Sequence, residues 1–300
     1  MSTPDVQAPD SRTLPDPTAA RHPGRAAYVL SAALGLAAAA ASGLTVAYPS
    51  VLTGVAGSNG NMRGTAVVVL TVGVPALAAA AVFAAARGSA RGFVVWLGVL
   101  AYLLYQAVLF AFATPLNHLF LFYVAYLGLS VWSIVAVLRG TDLAAFGRRL
   151  SPKVPVRFIA GYALVVVVLN AGAWLAEILP AVFSSDPRAM LTQSGLQTNP
   201  VYIQDLAIWL PLLATAAVAT LRRRIWGQLI TAAMLAMFVL ESISISVDQW
   251  FGSQADTATS SMAMVPVFAA VALLTTVPLA FVLRNVDRGP SATRLDAVTT

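Results

Sequence analysis

Five polar side chains interrupt long apolar stretches of this 300-residue chain, and their chemistry needs an explanation. They are Gln106, Asn170, Glu177, Asp205 and Glu241. A carboxylate or carboxamide inside a membrane-length apolar segment is costly, so such groups usually contact a ligand, an ion path or one another. Asn170 and Glu177 are seven residues apart, which places them on one helix face. Together the five could bind a proton, a small cation or an amine.

Other polar residues stand close to the predicted ends of the same segments. Glu241 follows Val239 and Leu240, so solvation at a helix end explains this residue least. For Glu177 and Asp205 that simpler explanation stays open beside the functional one. The candidate ligand-binding residues are Gln106, Asn117, His118, Asn170, Glu177, Asn199, Asp205 and Glu241.

Motifs for other kinds of chemistry are missing from the chain. It contains no cysteine, and its only histidines are His22 and His118. No phosphate-binding GxxxxGK[ST] loop, HExxH zinc motif or GxSxG elbow occurs. We therefore assign no catalytic residue and no cofactor, and an enzyme is the less favoured class. A metal site built only from acids such as Glu177, Asp205 and Glu241 stays open.

The elements that must position these residues are membrane spans. The chain is 59% hydrophobic and only 10% charged. A bilayer core of about 30 Å needs about 20 apolar residues in a helix. We therefore predict an all-α integral membrane bundle of eight transmembrane helices. The predicted spans are 26–47, 65–86, 92–114, 117–138, 157–179, 204–221, 226–247 and 262–283.

Basic residues predict how these spans face. With eight crossings, every arginine and lysine except Arg63 and Arg188 falls on the side of the two chain ends. Short loops rich in basic residues mark the cytoplasmic side. The sequence thus predicts a multi-pass protein of a bacterial plasma membrane, with both termini in the cytoplasm. Residues 1–25 read as a disordered proline-rich tail, 26–284 as the membrane domain and 285–300 as a second tail.

The acids show the reverse distribution. Six of them belong to the outer half of the predicted bundle, where the nearest cations are Arg188 and then Arg63. We expect an outward-facing acidic polar pocket there. The basic residues adjoin membrane at several places, so lipid headgroups, rather than nucleic acid, are the expected partner. The outer acids are Glu177, Asp186, Asp205, Glu241, Asp248 and Asp256.

Two further patterns concern the organisation of the chain. Pro75 and Pro211 are 136 residues apart, and Gln106 and Glu241 are 135 apart, which is consistent with a parallel repeat of two four-span halves. Positive-inside placement alone explains part of this pattern. The segment 139–157 would connect the halves, either as a plain loop or as an interfacial helix with its apolar residues toward lipid. Those residues are Leu143, Phe146 and Leu150.

Two stretches resemble segments of uncharacterised multi-span membrane proteins of high-GC bacteria. The first runs from Asn117-His118-Leu119-Phe120 to Leu129-Ser130. The second runs from Asn199-Pro200-Val201-Tyr202-Ile203-Gln204-Asp205 through Pro211 to Trp226-Gly227. The resemblance brings no activity with it, but it draws attention to Asn117, Asn199 and Asp205.

The sequence leaves two classes of function open. The first is a transporter-like or ligand-binding membrane protein, in which Glu241 and Asp205 contact a small cation, an amine or a proton. The second is an accessory or structural subunit whose polar residues only join helices. The oligomeric state does not follow from the sequence.

Overall fold

The structure of the protein, a computed structural model, describes residues 23–257 and 260–287. Eight helices in this part of the chain are long and apolar enough to cross a membrane, which confirms the predicted bundle. The predicted tails, 1–25 and 285–300, lie outside the described residues except at 23–25 and 285–287. The helices are α1 (Arg25–Ala47), α2 (Ala56–Ala86), α3 (Ala90–Phe112), α4 (Phe120–Arg139), the short α5 (Leu143–Arg149), α6 (Val156–Val182), α7 (Pro200–Leu221), α8 (Ile225–Ala255) and α9 (Met264–Asn285).

One end of the bundle, here called the basic face, carries the ends of the described chain. The turns after α2, α4 and α7 meet there. Asp287 forms an ion pair with Arg149 after α4 and accepts a hydrogen bond from Ser89 before α3. Arg223, after α7, donates to the carbonyl oxygen of Pro152. The opposite end, here called the distal face, carries the connections after α1, α3, α6 and α8.

Helices α3 and α8 form the centre of the bundle and are its most buried spans. They approach closely at Gly98. A Cβ atom on this glycine would lie 2.5 Å from the carbonyl oxygen of Ala233 and 2.6 Å from the Cβ of Ala236. Only glycine fits such a backbone contact, so this residue sets the distance between the two central helices.

Helices α2 and α8 each extend further toward the distal face than the predicted spans 65–86 and 226–247. Their extra turns pack against each other. A Cβ on Gly64 would lie 2.5 Å from the Cα of Asp248, and one on Gly60 would lie 2.7 Å from the carbonyl oxygen of Phe251. The added segment of α2 is rich in glycine and polar residues, so hydropathy does not mark it. Close packing against α8, rather than helix propensity, stabilises it.

Both α2 and α7 contain a π-helical turn. These turns span Val69–Gly73 and Asp205–Trp209, and they begin 136 residues apart. Pro75 and Pro211 follow them at the same offset. Such turns leave backbone carbonyls without regular partners and often occur at functional sites. The shared offset supports the predicted repeat, with α1–α4 matching α6–α9.

The turns that follow α2 and α7 are also alike. Gly88 and Arg223 lie 135 residues apart and both have a φ of 53°. Gly92 and Gly227, also 135 apart, both sit where a Cβ would lie 2.8 Å from the backbone of the preceding helix. A left-handed residue and a close-packed glycine thus form each tight helix–helix turn. The repeat itself remains a prediction that these matches support.

The segment after α4 forms the short helix α5, so it is not the plain loop that was the alternative. Leu143 is exposed, but Phe146 is buried and packs against Phe93 of α3 with 6.5 Å between ring centroids. Leu150 forms an isolated β-bridge with Val286. The prediction that all three apolar residues of this segment face lipid is therefore wrong. The residues that follow α9 contact the end of α5, where Asp287 pairs with Arg149.

Candidate functional site

Gln106 of α3 and Glu241 of α8 form the centre of the candidate site. Their side chains are 1% and 6% exposed, and the Gln106 Nε2 donates a 2.6 Å hydrogen bond to Glu241 Oε2. Each residue lies eight positions after the close contact of Gly98 with Ala233, or about 12 Å along the helix. The two helices come close at Gly98 and stay in register, so the side chains of Gln106 and Glu241 can meet.

Two hydroxyl groups complete this central cluster. The Gln106 Nε2 and the Tyr102 hydroxyl each lie 3.4 Å from Ser244 Oγ and donate to it. Tyr102 is one turn from Gln106, and Ser244 is one turn from Glu241, so each pair shares a helix face. The Gln106 Oε1 is buried and has no hydrogen-bond partner among the described residues. The cluster therefore has a spare acceptor beside a buried carboxylate.

A second buried carboxylate, Asp205, begins the π-helical turn of α7. It is 5% exposed, and its Oδ2 accepts a 2.8 Å hydrogen bond from Trp174 Nε1 of α6. Next to it, Gln204 Oε1 accepts from Trp209 Nε1 at 3.1 Å. The Trp209 ring packs on Tyr105 of α3 with 6.2 Å between centroids. This second cluster is therefore adjacent to the first along α3.

Glu177 and Asn170 lie farther from the centre of the bundle, on α6. Glu177 is exposed, and its Oε2 accepts a 2.6 Å hydrogen bond from the Tyr202 hydroxyl. The Tyr202 ring stacks against Trp174 at 4.8 Å, which links Glu177 indirectly to the Asp205 cluster. Asn170 is half-buried and makes no hydrogen bond to a described residue. The helix face that carries these two residues therefore lies beside the site, and neither residue bonds to Glu241.

The remaining predicted residues have local roles. The Asn117 Oδ1 accepts from the backbone N–H of Leu119 at 2.8 Å. Asn199 caps α7, since its Oδ1 accepts from the backbone N–H of Val201 at 3.0 Å. His118 is exposed. Capping explains Asn199, and a local turn before α4 explains Asn117, so neither asparagine needs a ligand.

The cations expected near the acids do not pair with the central carboxylates. Within residues 23–257 and 260–287, neither Arg188 nor Arg63 forms an ion pair with Glu241 or Asp205. The Arg63 Nε is buried without a hydrogen-bond partner. A buried carboxylate without a cation is unfavourable unless a proton or another positive ligand binds to it.

An acid-only metal site is not assembled in this part of the chain. No group of three or more histidine, cysteine, aspartate or glutamate side chains comes together among the residues that the structure describes. Glu177, Asp205 and Glu241 have different partners, as described above.

Sequence reasoning missed several members of the two clusters. Trp174 lies three residues before Glu177 and Gln204 lies beside Asp205, yet neither belongs to the predicted ligand-binding set. Tyr102, also outside that set, lies four residues before Gln106. Helical spacing of three or four around each predicted polar residue was the signal that could have found Trp174 and Tyr102.

Comparison of the chain with known protein families, with curated proteins and with solved structures gives no match. The resemblance to bacterial multi-span proteins gains no support from these comparisons. The function is therefore argued from the site alone.

Proposed function

We propose that this polytopic membrane protein is transporter-like and binds a proton or a small cation at Glu241. One observation carries the proposal: the carboxylate is enclosed in the membrane bundle, with a glutamine amide as its donor and no cation paired to it. An ionisable group in such a position is costly and is usually kept for function.

The size of the ligand follows from the closeness of the two side chains. A 2.6 Å separation between Gln106 Nε2 and Glu241 Oε2 leaves no space between them for an organic amine. A proton on the glutamate would instead supply a donor for the unpaired Gln106 Oε1. A bare cation could be held by Gln106 Oε1 and a carboxylate oxygen of Glu241. The smaller members of the predicted ligand set are therefore favoured over an amine.

The Asp205 cluster provides a second position for the same kind of ligand. Its carboxylate is also buried, and it stands at a π-helical turn followed by Pro211. A proline lacks the N–H that would pair with the carbonyl oxygen four residues earlier, so one backbone oxygen of this turn loses its usual helical donor. Interrupted helices near the middle of a membrane bind coupling ions in many transporters.

The orientation of the site belongs to the same proposal. The basic face would lie in the cytoplasm of a bacterial plasma membrane, as the positive-inside rule predicts. Gln106 and Glu241 lie about 22 Å and 25 Å from Arg91 and Arg224, so they would be in the outer half of the bilayer.

The test is ligand-dependent stabilisation of the purified protein in lipid nanodiscs. Thermal unfolding is followed while the pH is varied and while Li⁺, Na⁺, K⁺ and methylammonium are titrated. We expect a ligand-dependent change in the midpoint temperature that Glu241→Gln removes and Asp186→Asn keeps. Asp186 is the matched control because it is an exposed acid of the same half of the bundle and belongs to neither cluster. A folded Glu241→Gln variant with the complete wild-type response would overturn the proposal.

A structural or accessory role is the second candidate. The close contact of α3 with α8 at Gly98 favours it, because the site is then a fixed polar joint between two helices. Under this alternative Glu241→Gln changes stability alone, and no ligand changes the unfolding midpoint of either protein.

A further inference from the structure

Buried polar atoms without hydrogen-bond partners are concentrated at one interface of the bundle. Apart from Arg63 Nε and Gln204 Nε2, all such side-chain atoms among the described residues belong to α1, α3 or α4. Buried polar groups are normally paired, with protein or with water. These atoms are Tyr28 Oη, Ser42 Oγ, Gln106 Oε1, Tyr123 Oη, Tyr126 Oη and Ser133 Oγ.

Helix α4 presents a continuous row of hydroxyl groups to this interface. Tyr123, Tyr126, Ser130 and Ser133 follow one another at spacings of three, four and three, and each is no more than 1% exposed. Residues at such spacings share one helix face. The row extends for about 15 Å along the helix. Since α4 packs against α1 and α3, the row faces the protein interior.

The distal end of this row reaches the candidate site. The rings of Tyr123 and Tyr126 pack on Phe110 of α3, with centroid distances of 5.3 Å and 5.9 Å. Phe110 is one turn beyond Gln106 on the same helix. The hydroxyl row of α4 and the Gln106–Glu241 pair therefore belong to one buried polar region.

The other end approaches the basic face. Tyr28 lies in the first turn of α1, and its ring stacks on Trp96 at 4.8 Å. The Trp96 Nε1 donates to Ser31 Oγ at 3.1 Å. On α4, Ser133 stands six residues before Arg139, the last residue of the helix. Polar groups thus occur at successive levels from the distal face to the basic face.

We propose that water molecules fill the interface of α1, α3 and α4, and that the protein conducts protons along them through Glu241. The inference rests on the proposed function, because Glu241 must bind a proton. Buried water typically makes about three hydrogen bonds to polar groups that otherwise lack partners. The hydroxyls of Tyr123, Tyr126 and Ser133 are such groups, whereas Ser130 Oγ already donates to the carbonyl oxygen of Tyr126 at 2.8 Å. A proton arriving from the distal side converts the carboxylate to the acid, and water toward the basic face then accepts that proton.

The experiment measures proton uptake by proteoliposomes that contain a pH-sensitive dye. An outward K⁺ gradient with valinomycin supplies the driving voltage. We expect wild-type flux well above that of empty vesicles, and about tenfold less flux for Tyr126→Phe and for Ser133→Ala, as expected for the loss of one hydrogen-bonded link. Tyr162→Phe is the matched control. The Tyr162 hydroxyl is 2.6 Å from Thr275 Oγ1, between α6 and α9 and away from the row, so its removal should leave the flux unchanged.

Glu241→Gln separates this inference from the proposed function. If Glu241→Gln abolishes flux while Tyr126→Phe and Ser133→Ala keep it, the path is wrong and the Glu241 site stands. Wild-type flux equal to that of empty vesicles also overturns the path, and ligand-dependent unfolding then tests Glu241 independently.

Stability gives a second readout for Ser133. If its hydroxyl bonds to water, Ser133→Ala breaks those bonds and lowers the unfolding midpoint by a few degrees. If the hydroxyl is buried dry and unpaired, its removal relieves an unfavourable group and the midpoint rises. A rise would overturn the inference.

Discussion

Gln106 and Glu241 share a 2.6 Å hydrogen bond although 135 residues separate them in the chain. Gly98 and Ala233 are separated by the same number of residues, and they meet at the closest approach of α3 and α8. Matching residues of two repeat units touch in this way when a two-fold axis runs between parallel helices. On the predicted repeat, the candidate site would lie on the axis that relates the two halves, with a glutamine in the first half and a glutamate at the matching position of the second.

The Gln106–Glu241 bond leads to a prediction for stability. Gln106→Leu removes the donor and leaves a buried carboxylate unpaired, so we expect the free energy of unfolding to fall by about 1–3 kcal/mol. The double variant Gln106→Leu/Glu241→Leu removes both polar groups and should recover most of that loss. Thermal or chemical unfolding in nanodiscs measures both. A double variant less stable than Gln106→Leu would contradict this account.

The contact at Gly98 predicts a strong effect of one methyl group. A Cβ there would clash with the backbone of α8, so Gly98→Ala should lower the free energy of unfolding by about 1–3 kcal/mol. Gly128→Ala is the control, because a Cβ at Gly128 meets nothing within 4 Å. Gly128→Ala should leave stability unchanged or raise it by about 0.5–1 kcal/mol, the usual gain in a helix. Equal losses from the two variants would show that α3 and α8 are not in close contact.

The contacts of Asp287 lead to a prediction about how the end of α9 is held at the basic face. Its carboxylate pairs with Arg149 at 2.9 Å and accepts from the backbone N–H of Ala90, and its φ is 64°. Asp287→Asn tolerates this backbone and keeps acceptors for the N–H groups, whereas Asp287→Gly keeps only the backbone freedom. We expect protease cleavage near residue 287 to be faster in Asp287→Gly than in Asp287→Asn. The reverse order would indicate that side-chain acceptors at residue 287 do not anchor this end.

The orientation of the bundle can be tested by labelling, because the chain has no cysteine. Ser184→Cys places a thiol at the distal face, and Lys153→Cys places one at the basic face. In intact cells a membrane-impermeant maleimide should label only Ser184→Cys, since the basic face is predicted to be cytoplasmic. Lys153→Cys should react only after the membrane is permeabilised. Labelling of Lys153→Cys alone in intact cells would reverse the predicted orientation.

The spans were predictable because the bilayer requirement acts on local composition. About 20 apolar residues in succession suffice to mark a helix that crosses the membrane, whatever it packs against. The distal turns of α2 were not predictable in this way, since residues such as Gly60 and Gly64 become helical through contact with α8. The orientation of Phe146 was not predictable for the same reason, because this residue packs against Phe93 of α3, which is distant in the chain.

Within the candidate site, the sequence predicted which residues of one helix are important. It did not predict which residues of other helices they contact. The sequence placed Gln106, Asp205 and Glu241 in apolar surroundings, which marked them as costly groups. It did not reveal that Gln106 bonds to Glu241 while Trp174 bonds to Asp205, because these contacts depend on which helices are neighbours. Asn117 and Asn199 show the converse, since turns and helix caps also select asparagine.

Local composition alone determined that the described part of the chain has eight helices long and apolar enough to cross a membrane, because the cost of placing polar backbone and charge in hydrocarbon applies to each segment separately. Only the tertiary structure decided that α3 and α8 are central, that Gly98 brings them together and that one buried glutamate meets one buried glutamine there. Which helices become neighbours depends on how the side chains of distant segments fit together, and hydropathy does not measure that fit.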